Sequence, residues 1–178
     1  MAFSLKNSPG HLLRRAQQYA NDLYAKEVGA SGPTPRQFEV LYAVSQNEGL
    51  SQTDLVHQTG IDRSTLADMI ARMLKKGLLS RKRTKDDARA NAVSITPAGK
   101  RMLSSAMTSV NKAESATLAV LPKTQQTAFM KALSAYAEAL DKLEAAAPAA
   151  PVKRGRKAAA KKAPAKKKAA KRATKKRR

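Results

Sequence analysis

A cluster of charged residues between positions 81 and 99 has the composition of a binding site for a polyanion. The stretch RKRTKDDARANAVSITPAG places four of its five basic residues within five positions, and two aspartates follow them. Lysine and arginine bind phosphate oxygens, and an arginine also fits a narrow, electronegative groove of a duplex. Asp87 stands two residues before Arg89, where its carboxylate could orient the guanidinium through a charge-assisted hydrogen bond. A solvated charged turn is the plain alternative for such a run.

Metal binding and catalysis lack comparable patterns. The chain has no cysteine, which excludes disulfides and cysteine-based zinc sites. The two histidines, His11 and His57, have no second histidine or carboxylate at the spacing of a His-Glu-x-x-His motif. No phosphate-binding glycine loop or Gly-x-Ser-x-Gly motif occurs, and ion pairing within the basic run explains the adjacent Asp86 and Asp87. We therefore predict a protein that is not an enzyme and needs no metal or cofactor.

The overall charge indicates a polyanionic partner. Lys and Arg number 35 against 13 Asp and Glu, a formal net charge of +22, which attracts nucleic acid or an anionic membrane. No apolar run approaches the roughly 20 residues that span a bilayer, and the amino terminus lacks the basic-then-apolar layout of a signal peptide. The expected partner is therefore nucleic acid rather than a membrane, and the expected location is the cytoplasm, in association with the nucleoid.

The basic residues are concentrated at the carboxyl-terminal end of the sequence. Residues 148–178 hold fifteen Lys or Arg, ten Ala and three Pro, without an acidic residue. Such a segment cannot bury enough apolar surface to offset its ordering entropy, so we predict a disordered basic tail. Residues 1–147 keep 20 basic and 13 acidic residues, a net charge of +7. This part is long enough for one globular domain with a sizeable core.

Two short helices joined at a glycine are predicted between residues 50 and 77. Ser51 and Asp54 form a capping box for the first helix, and Gly60 permits a sharp turn. The second helix begins after Asp62, with apolar residues at helical spacing and polar residues on the other side. This pattern is typical of a helix-turn-helix whose second helix reads base edges in a major groove, against the alternative of solvated surface charges. The candidate DNA contacts on the two helices are Ser51, Gln52, Thr53, Arg63, Ser64, Thr65, Asp68 and Arg72.

A β-hairpin is predicted directly after this second helix. Gly77 ends the helix, and the segments LLSRKRT and NAVSITP on either side of the charged tip are predicted as strands. Thr96 with Pro97 begins the next helix. The hairpin would then place a cluster of positive charges beside the helix that begins after Asp62, which we call the recognition helix. Its candidate DNA contacts are Lys82, Arg83, Lys85, Asp87 and Arg89.

Four further helices complete a mainly α fold with one small β-hairpin. One helix is predicted over residues 11–28, and another begins with a capping box at Thr34. The predicted core face of the helix that begins at Thr34 consists of Phe38, Leu41 and Tyr42. Two long helices, from near Pro97 and after Pro122, carry apolar faces larger than one small unit needs to cover. These faces are candidates for contact between subunits, although a helical stripe is more often intramolecular core.

The order of these elements resembles the MarR family of bacterial winged helix-turn-helix regulators. The resemblance covers about residues 10–146. It is most specific in the hairpin, or wing, where the family carries Asp-x-Arg followed by a strand ending in Leu-Thr-x-x-Gly. The corresponding residues are Asp87, Arg89, Ile95, Thr96 and Gly99. Ala67 and Asp68 stand where many members carry Thr and Arg, and a carboxylate there can accept a hydrogen bond from a cytosine amino group.

The resemblance implies a two-fold dimer built from the N- and C-terminal helices, bound to a pseudo-palindromic operator in duplex DNA with half-sites about one helical turn apart. It also implies a small-molecule pocket between the first, second and fifth helices. An aromatic or acyl carboxylate would suit an arginine among aromatic rings there. The candidate lining residues are Arg15, Tyr19, Arg36, Phe38 and Tyr42. The basic tail lies outside the family pattern and is similar to the Lys/Ala-rich tail of a linker histone.

Three functions are compatible with these patterns. The leading hypothesis is a transcriptional repressor that leaves its operator when a small molecule binds. An architectural nucleoid protein would instead bind unrelated duplexes with equal affinity through its tail. RNA binding is the third hypothesis, and it is disfavoured because only three Phe and four Tyr occur, mostly on apolar helix faces, so no stacking platform is evident.

Overall fold

The computed structural model describes residues 3–47, 49–81 and 92–146. Six α-helices and two short strands lie in these segments. In chain order, after a single 3-10 turn (Leu5–Asn7), they are α1 (Pro9–Val28), α2 (Pro35–Gln46), α3 (Gln52–Thr59), α4 (Arg63–Lys75), β1 (Leu79–Arg81), β2 (Val93–Ile95), α5 (Pro97–Ala119) and α6 (Lys123–Ala146). The strands pair antiparallel, with Leu79 opposite Ile95. The predicted class, mainly helical with a small hairpin, is confirmed.

Side-chain caps start two helices at the predicted residues. Thr34 accepts a hydrogen bond from the Gln37 N–H at 3.4 Å, and the Gln37 side chain accepts one from the Thr34 N–H at 3.2 Å. Ser51 and Asp54 make the same reciprocal pair, at 3.1 and 2.9 Å. Each pair satisfies two backbone donors that a helix start would otherwise leave without partners. Both predicted capping boxes are confirmed.

One apolar cluster joins α2, α3, α4, the hairpin and α5. Its fully buried members include Leu41, Leu55, Leu66, Ile70 and Met73. Removing a side chain of this kind from water stabilises the fold by about 1.5–3 kcal/mol. Helix α4 contributes its whole apolar stripe except Leu74, which is partly buried. Because α4 is anchored along one side only, its other side is left for solvent or a partner.

The core face of α2 differs from the prediction. Leu41 is buried and Phe38 is partly buried, but Tyr42 is 45 % exposed. Val40 and Val44, which the prediction omitted, are fully buried. The spacing of residues 40, 41 and 44 places them on one side of the helix, against α3, β2 and α5. Tyr42 instead shares a flank of α2 with Phe38, so its assignment to the core face was wrong.

Helix α1 packs along α5 through a second, smaller cluster. Tyr24 is its aromatic member, buried against three residues of α5. Its hydroxyl donates a hydrogen bond to the Pro33 carbonyl oxygen at 3.0 Å. Leu12 and Tyr19, nearer the start of α1, are 47 % and 44 % exposed. Helix α1 is therefore fixed to the domain around Tyr24, while Leu12 and Tyr19 present apolar surface outward.

Helix α6 leaves an apolar face uncovered. The members of this face are Phe129, Leu133, Tyr136, Leu140 and Leu143, each at least 40 % exposed. Part of the face borders an apolar cleft of about 710 Å³ against α1 and α5. Exposed apolar surface of this extent is characteristic of an interaction surface.

Within the described residues, no helix has the length and apolar character needed to cross a membrane.

A close backbone contact joins the hairpin to α5. The Thr96 hydroxyl lies 2.6 Å from the Gly77 carbonyl oxygen and 3.0 Å from that of Leu78, and it accepts a hydrogen bond from the Gly99 N–H at 3.1 Å. A Cβ atom at Gly99 would overlap the Leu78 carbonyl oxygen and lie 2.8 Å from the Ile95 Cγ1 atom. Only glycine fits this position without moving the hairpin. The Thr-x-x-Gly pattern of the sequence thus has a packing reason.

We expect Gly99→Ala to lower the free energy of unfolding by about 1–3 kcal/mol, the usual range for overpacking a filled site. Urea denaturation followed by circular dichroism measures the effect. Gly10→Ala is the control, because its Cβ would meet only the end of the Arg14 side chain, at 3.4 Å, and alanine favours a helix. Equal unfolding midpoints for the two variants would contradict the assigned role of Gly99.

Candidate nucleic-acid interface

The turn between α3 and α4 sets the position of the recognition helix. Gly60 ends α3 with a φ of 61°, in the left-handed region that glycine adopts without a steric cost. The next residue, Ile61, is buried and holds the turn against the core. Of the predicted contacts on α4, four are exposed and Thr65 is half-buried. The four exposed residues are Arg63, Ser64, Asp68 and Arg72.

The helical spacing divides this exposed surface into a centre and two flanks. Ser64 and Asp68 lie opposite the buried stripe, and Arg63 and Arg72 lie at its two edges. Lys75 is also exposed and lies on the same central line as Ser64 and Asp68, although it was not among the predicted contacts. The signal that could have found it is its spacing of eleven residues, about three turns, from Ser64.

The start of α4 is fixed by a charged cap. The Asp62 carboxylate accepts hydrogen bonds from the Thr65 N–H at 2.9 Å and from the Ser64 hydroxyl at 2.7 Å. Hydrogen bonding by the Thr65 side chain, by the Thr65 N–H and by the Ser64 hydroxyl holds the pKa of the Asp62 carboxyl well below its usual range. The carboxylate therefore stays ionised at neutral pH, where it also stabilises the positive end of the helix dipole. The first turn of α4 is thus an ordered surface.

The predicted contacts on α3 take different positions. The Arg63 guanidinium donates a hydrogen bond to the Thr53 hydroxyl at 3.3 Å, which links α4 to α3 across an exposed surface. Ser51 uses its hydroxyl and its N–H in the helix cap. Gln52 is half-buried beside it. The structure therefore brings Thr53 together with the α4 residues and gives Ser51 a structural role.

The wing is anchored by more than its own two strands. Leu50 forms a bridge to Val93, whose N–H donates to the Leu50 carbonyl oxygen at 3.0 Å, and the Gly49 N–H donates to the Val93 carbonyl oxygen at 3.2 Å. This contact was not predicted from the sequence, since a bridge of one residue leaves no alternating pattern. The strands are also shorter than predicted within the described residues. The predicted wing contacts Lys82, Arg83, Lys85, Asp87 and Arg89 lie outside the described residues.

A second concave site lies between α1, α2 and α5. Phe38 and Tyr42 stack at a centroid distance of 6.2 Å with an interplanar angle of 14°. Both line a pocket of about 300 Å³, together with Tyr24 and residues of α5. Of the candidate ligand contacts, the structure therefore brings these two rings together. Arg15, Tyr19 and Arg36 are exposed and do not line this pocket.

Two carboxylates of the pocket were not singled out by the sequence. Glu39 of α2 and Glu114 of α5 both line it. Desolvation raises the pKa of Glu39, Arg36 opposes that rise, and Glu114 adds to it. Burial, Glu39 and Glu114 likewise raise the pKa of Tyr24 to about 12. No local sequence motif indicates the pair, because the two residues meet only when α2 packs on α5.

Among the described residues, no group of three His, Cys, Asp or Glu is placed to hold a metal ion.

Comparison with known proteins identifies the family. The family model for MarR proteins matches residues 34–90, from the start of α2 into the wing. The PcaV transcriptional regulator from Streptomyces coelicolor, solved in complex with its natural ligand, is 31 % identical with a TM-score of 0.71. The match covers 79 % of this chain and 99 % of that one. This chain belongs to the MarR family.

Two further relatives agree with this assignment to the MarR family. The transcriptional regulator HosA from Escherichia coli is 28 % identical over 128 residues, which are 72 % of this chain and 93 % of HosA. BpsR from Bordetella bronchiseptica, whose DNA binding is regulated by 6-hydroxynicotinic acid, is 25 % identical with a TM-score of 0.71 over 78 % of this chain and 99 % of BpsR. The resemblance to the MarR family is therefore confirmed, and the chain is a DNA-binding transcription regulator with a winged helix-turn-helix. The predicted disordered, linker-histone-like tail lies outside the described residues and stays a prediction. These MarR-family relatives are regulators rather than enzymes.

Proposed function

We propose that this MarR-family protein is a homodimeric repressor that binds a pseudo-palindromic operator and is released by a small aromatic effector. The observation that carries the proposal is the construction of α4. One side of the helix is buried in the core, and the opposite side carries Ser64 and Asp68 between flanking arginines. An anchored helix with hydrogen-bonding side chains on its free side can be presented to base edges in a major groove.

The uncovered apolar face of α6 supports the dimer. Leu133 and Tyr136, which border the cleft against α1 and α5, are 40 % and 53 % exposed. A second copy of the chain would bury this surface, as a two-fold interface uses the same patch on both subunits. Two-fold symmetry would then set the two α4 helices against half-sites about one helical turn apart.

The pocket between α1, α2 and α5 supports the effector. Its volume of about 300 Å³ and its stacked Phe38 and Tyr42 rings suit one aromatic molecule. Arg36 lies outside the lining of this pocket but acts on the carboxyl of Glu39, which lines it, so its guanidinium is the candidate partner for an acid group of the effector at the rim. The relative BpsR responds to an aromatic acid, 6-hydroxynicotinic acid. We propose that an effector here favours a spacing of the two α4 helices that no longer fits the operator.

Footprinting with the full chain tests sequence-specific binding against the alternative of an architectural nucleoid protein. The alternative is favoured by the fifteen basic residues after position 147. A repressor should protect one palindrome near its own gene at concentrations that leave unrelated duplexes unprotected. Equal affinity for the palindrome and for unrelated duplexes would favour the nucleoid protein and contradict the repressor.

Arg89→Ala is the matching variant, chosen from the Asp-x-Arg motif of the wing. Losing one groove contact per subunit should cost about 1–3 kcal/mol for each half-site. A gel-shift titration on the protected palindrome measures the loss, and sedimentation checks that the variant keeps its assembly state. Lys131→Ala, on the exposed surface of α6, removes the same charge as a control. Unchanged affinity of Arg89→Ala for the palindrome would remove Arg89 from the DNA contact.

A further inference from the structure

Asp68 has no structural role in the described fold. It is exposed on α4, opposite the buried stripe, and no residue makes a hydrogen bond or ion pair with it in the part of the chain that the structure describes. The Asp62 carboxylate, six residues earlier, is by contrast fully used as a helix cap. The Asp68 carboxylate is therefore available to a molecule outside the domain, against the alternative of a solvated surface charge.

An anion at this position would oppose binding unless DNA offers it a donor. The phosphates of a duplex repel a carboxylate, whereas the bases present amino groups in the major groove, and Asp is a suitable acceptor for the N4 amino group of cytosine. Two of the neighbours of Asp68 on this side of the helix are small, since Ala67 is half-buried and Ala71 is exposed. The nearest long side chain is that of Arg72, one turn further on at the edge of this surface.

Ser64 adds a second acceptor one turn before Asp68. Its hydroxyl proton is directed to the Asp62 carboxylate at 2.7 Å. Because Asp62 remains ionised at neutral pH, that proton stays engaged, and the lone pairs of the Ser64 oxygen are left to accept. Arg63 is in turn tied to the Thr53 hydroxyl at 3.3 Å. The centre of the first two turns of α4 therefore presents acceptors, and the cationic donors stand at its edges.

We infer that Asp68 is a specificity-determining residue that selects cytosine in each operator half-site, with the Ser64 oxygen as a second acceptor. This inference rests on the proposed sequence-specific binding and adds the base that α4 reads. Replacing that cytosine by thymine or guanine removes the amino donor and leaves the carboxylate facing acceptors or a methyl group, and adenine keeps an amino donor at N6 but places the N7 acceptor beside it. Cytosine at one position in each half-site is thus the base by which this part of α4 distinguishes the operator from other duplexes.

The test compares the full chain with three variants on randomised duplexes, followed by anisotropy titrations of single-base substitutions. The wild-type chain is expected to prefer cytosine by about tenfold or more at one position in each half-site. Asp68→Ala should reduce that preference to within about twofold. Asp68→Asn should shift it toward adenine, since an amide pairs with the N6 and N7 atoms of adenine. Asp68→Ala should also tighten binding to a scrambled duplex, because an anion has been removed.

Glu138→Ala is the charge-matched control. Glu138 is exposed on α6, on the side away from Leu133 and Tyr136, and its loss should leave the base preference unchanged. An identical base preference for the wild-type chain and Asp68→Ala would overturn the role of Asp68 while leaving the repressor proposal intact. A wild-type chain without any preferred sequence would overturn both. Thermal unfolding should show the same midpoint for Asp68→Ala and wild type, as expected for an exposed side chain.

Discussion

Removing residues 148–178 should weaken binding to every duplex at low salt and flatten its salt dependence. The deleted segment carries fifteen Lys or Arg, and each phosphate that they neutralise releases condensed counterions. If about five phosphates are engaged per tail, the slope of log affinity against log salt should fall by about 4 to 5 units. Over a fourfold change in salt concentration, such a difference in slope changes the ratio of the affinities of the full and the truncated chain roughly several-hundred-fold.

Fluorescence anisotropy on one operator and one scrambled duplex, across a salt series, measures this effect. Phosphate contacts carry no base information, so both duplexes should lose affinity together and the preferred operator should remain the same. A chain whose fifteen basic tail residues are replaced by glutamine separates the effect of charge from that of length. Equal salt slopes with and without the tail would show that these residues do not reach the phosphates.

Breaking the apolar face of α6 should convert a dimer into a monomer. Leu133 is 40 % exposed and borders the cleft against α1 and α5. A carboxylate placed there by Leu133→Asp would be buried without a partner in the proposed interface, at a cost of several kcal/mol. Sedimentation at micromolar concentration should give twice the chain mass for the wild-type protein and the single chain mass for the variant. Operator affinity should fall with it, because one subunit contacts one half-site.

Two controls make this result specific to the interface. Ser134→Asp adds the same charge on the other side of α6, where Ser134 is exposed, and should leave the dimer intact. Deleting residues 148–178 should also leave the mass at twice that of the truncated chain, whereas deleting residues 122–178 should not. A monomeric chain without the tail, or a dimeric Leu133→Asp variant, would contradict an assembly based on α6.

Local signals accounted for the helix boundaries and for the recognition helix. Thr34 and Ser51 cap their helices as predicted because a capping box needs only residues three positions apart. The turn at Gly60 follows from the freedom of glycine to adopt a positive φ. The two sides of α4 follow from helical spacing, since one apolar stripe must face the core. The family resemblance extended this reading to the winged helix-turn-helix.

Contacts between distant segments required the tertiary structure. Tyr42 was assigned to the core of α2, but the packing of α2 on α3 and α5 rotates it outward and buries Val44 instead. The Leu50 bridge to Val93 and the hydrogen bond from Arg63 to Thr53 each depend on how two elements meet.

The sequence by itself determined the order of the helices, the excess of positive charge and the polar side of α4, because each depends on residue type and short spacing. Only the tertiary structure decided that position 99 must be glycine, since the obstacle is the Leu78 carbonyl oxygen, twenty-one residues earlier. It also decided that Glu39 and Glu114 face one pocket and that Asp68 has no partner among the described residues. Periodicity specifies which way a side chain points along its own helix, whereas packing specifies what it meets there.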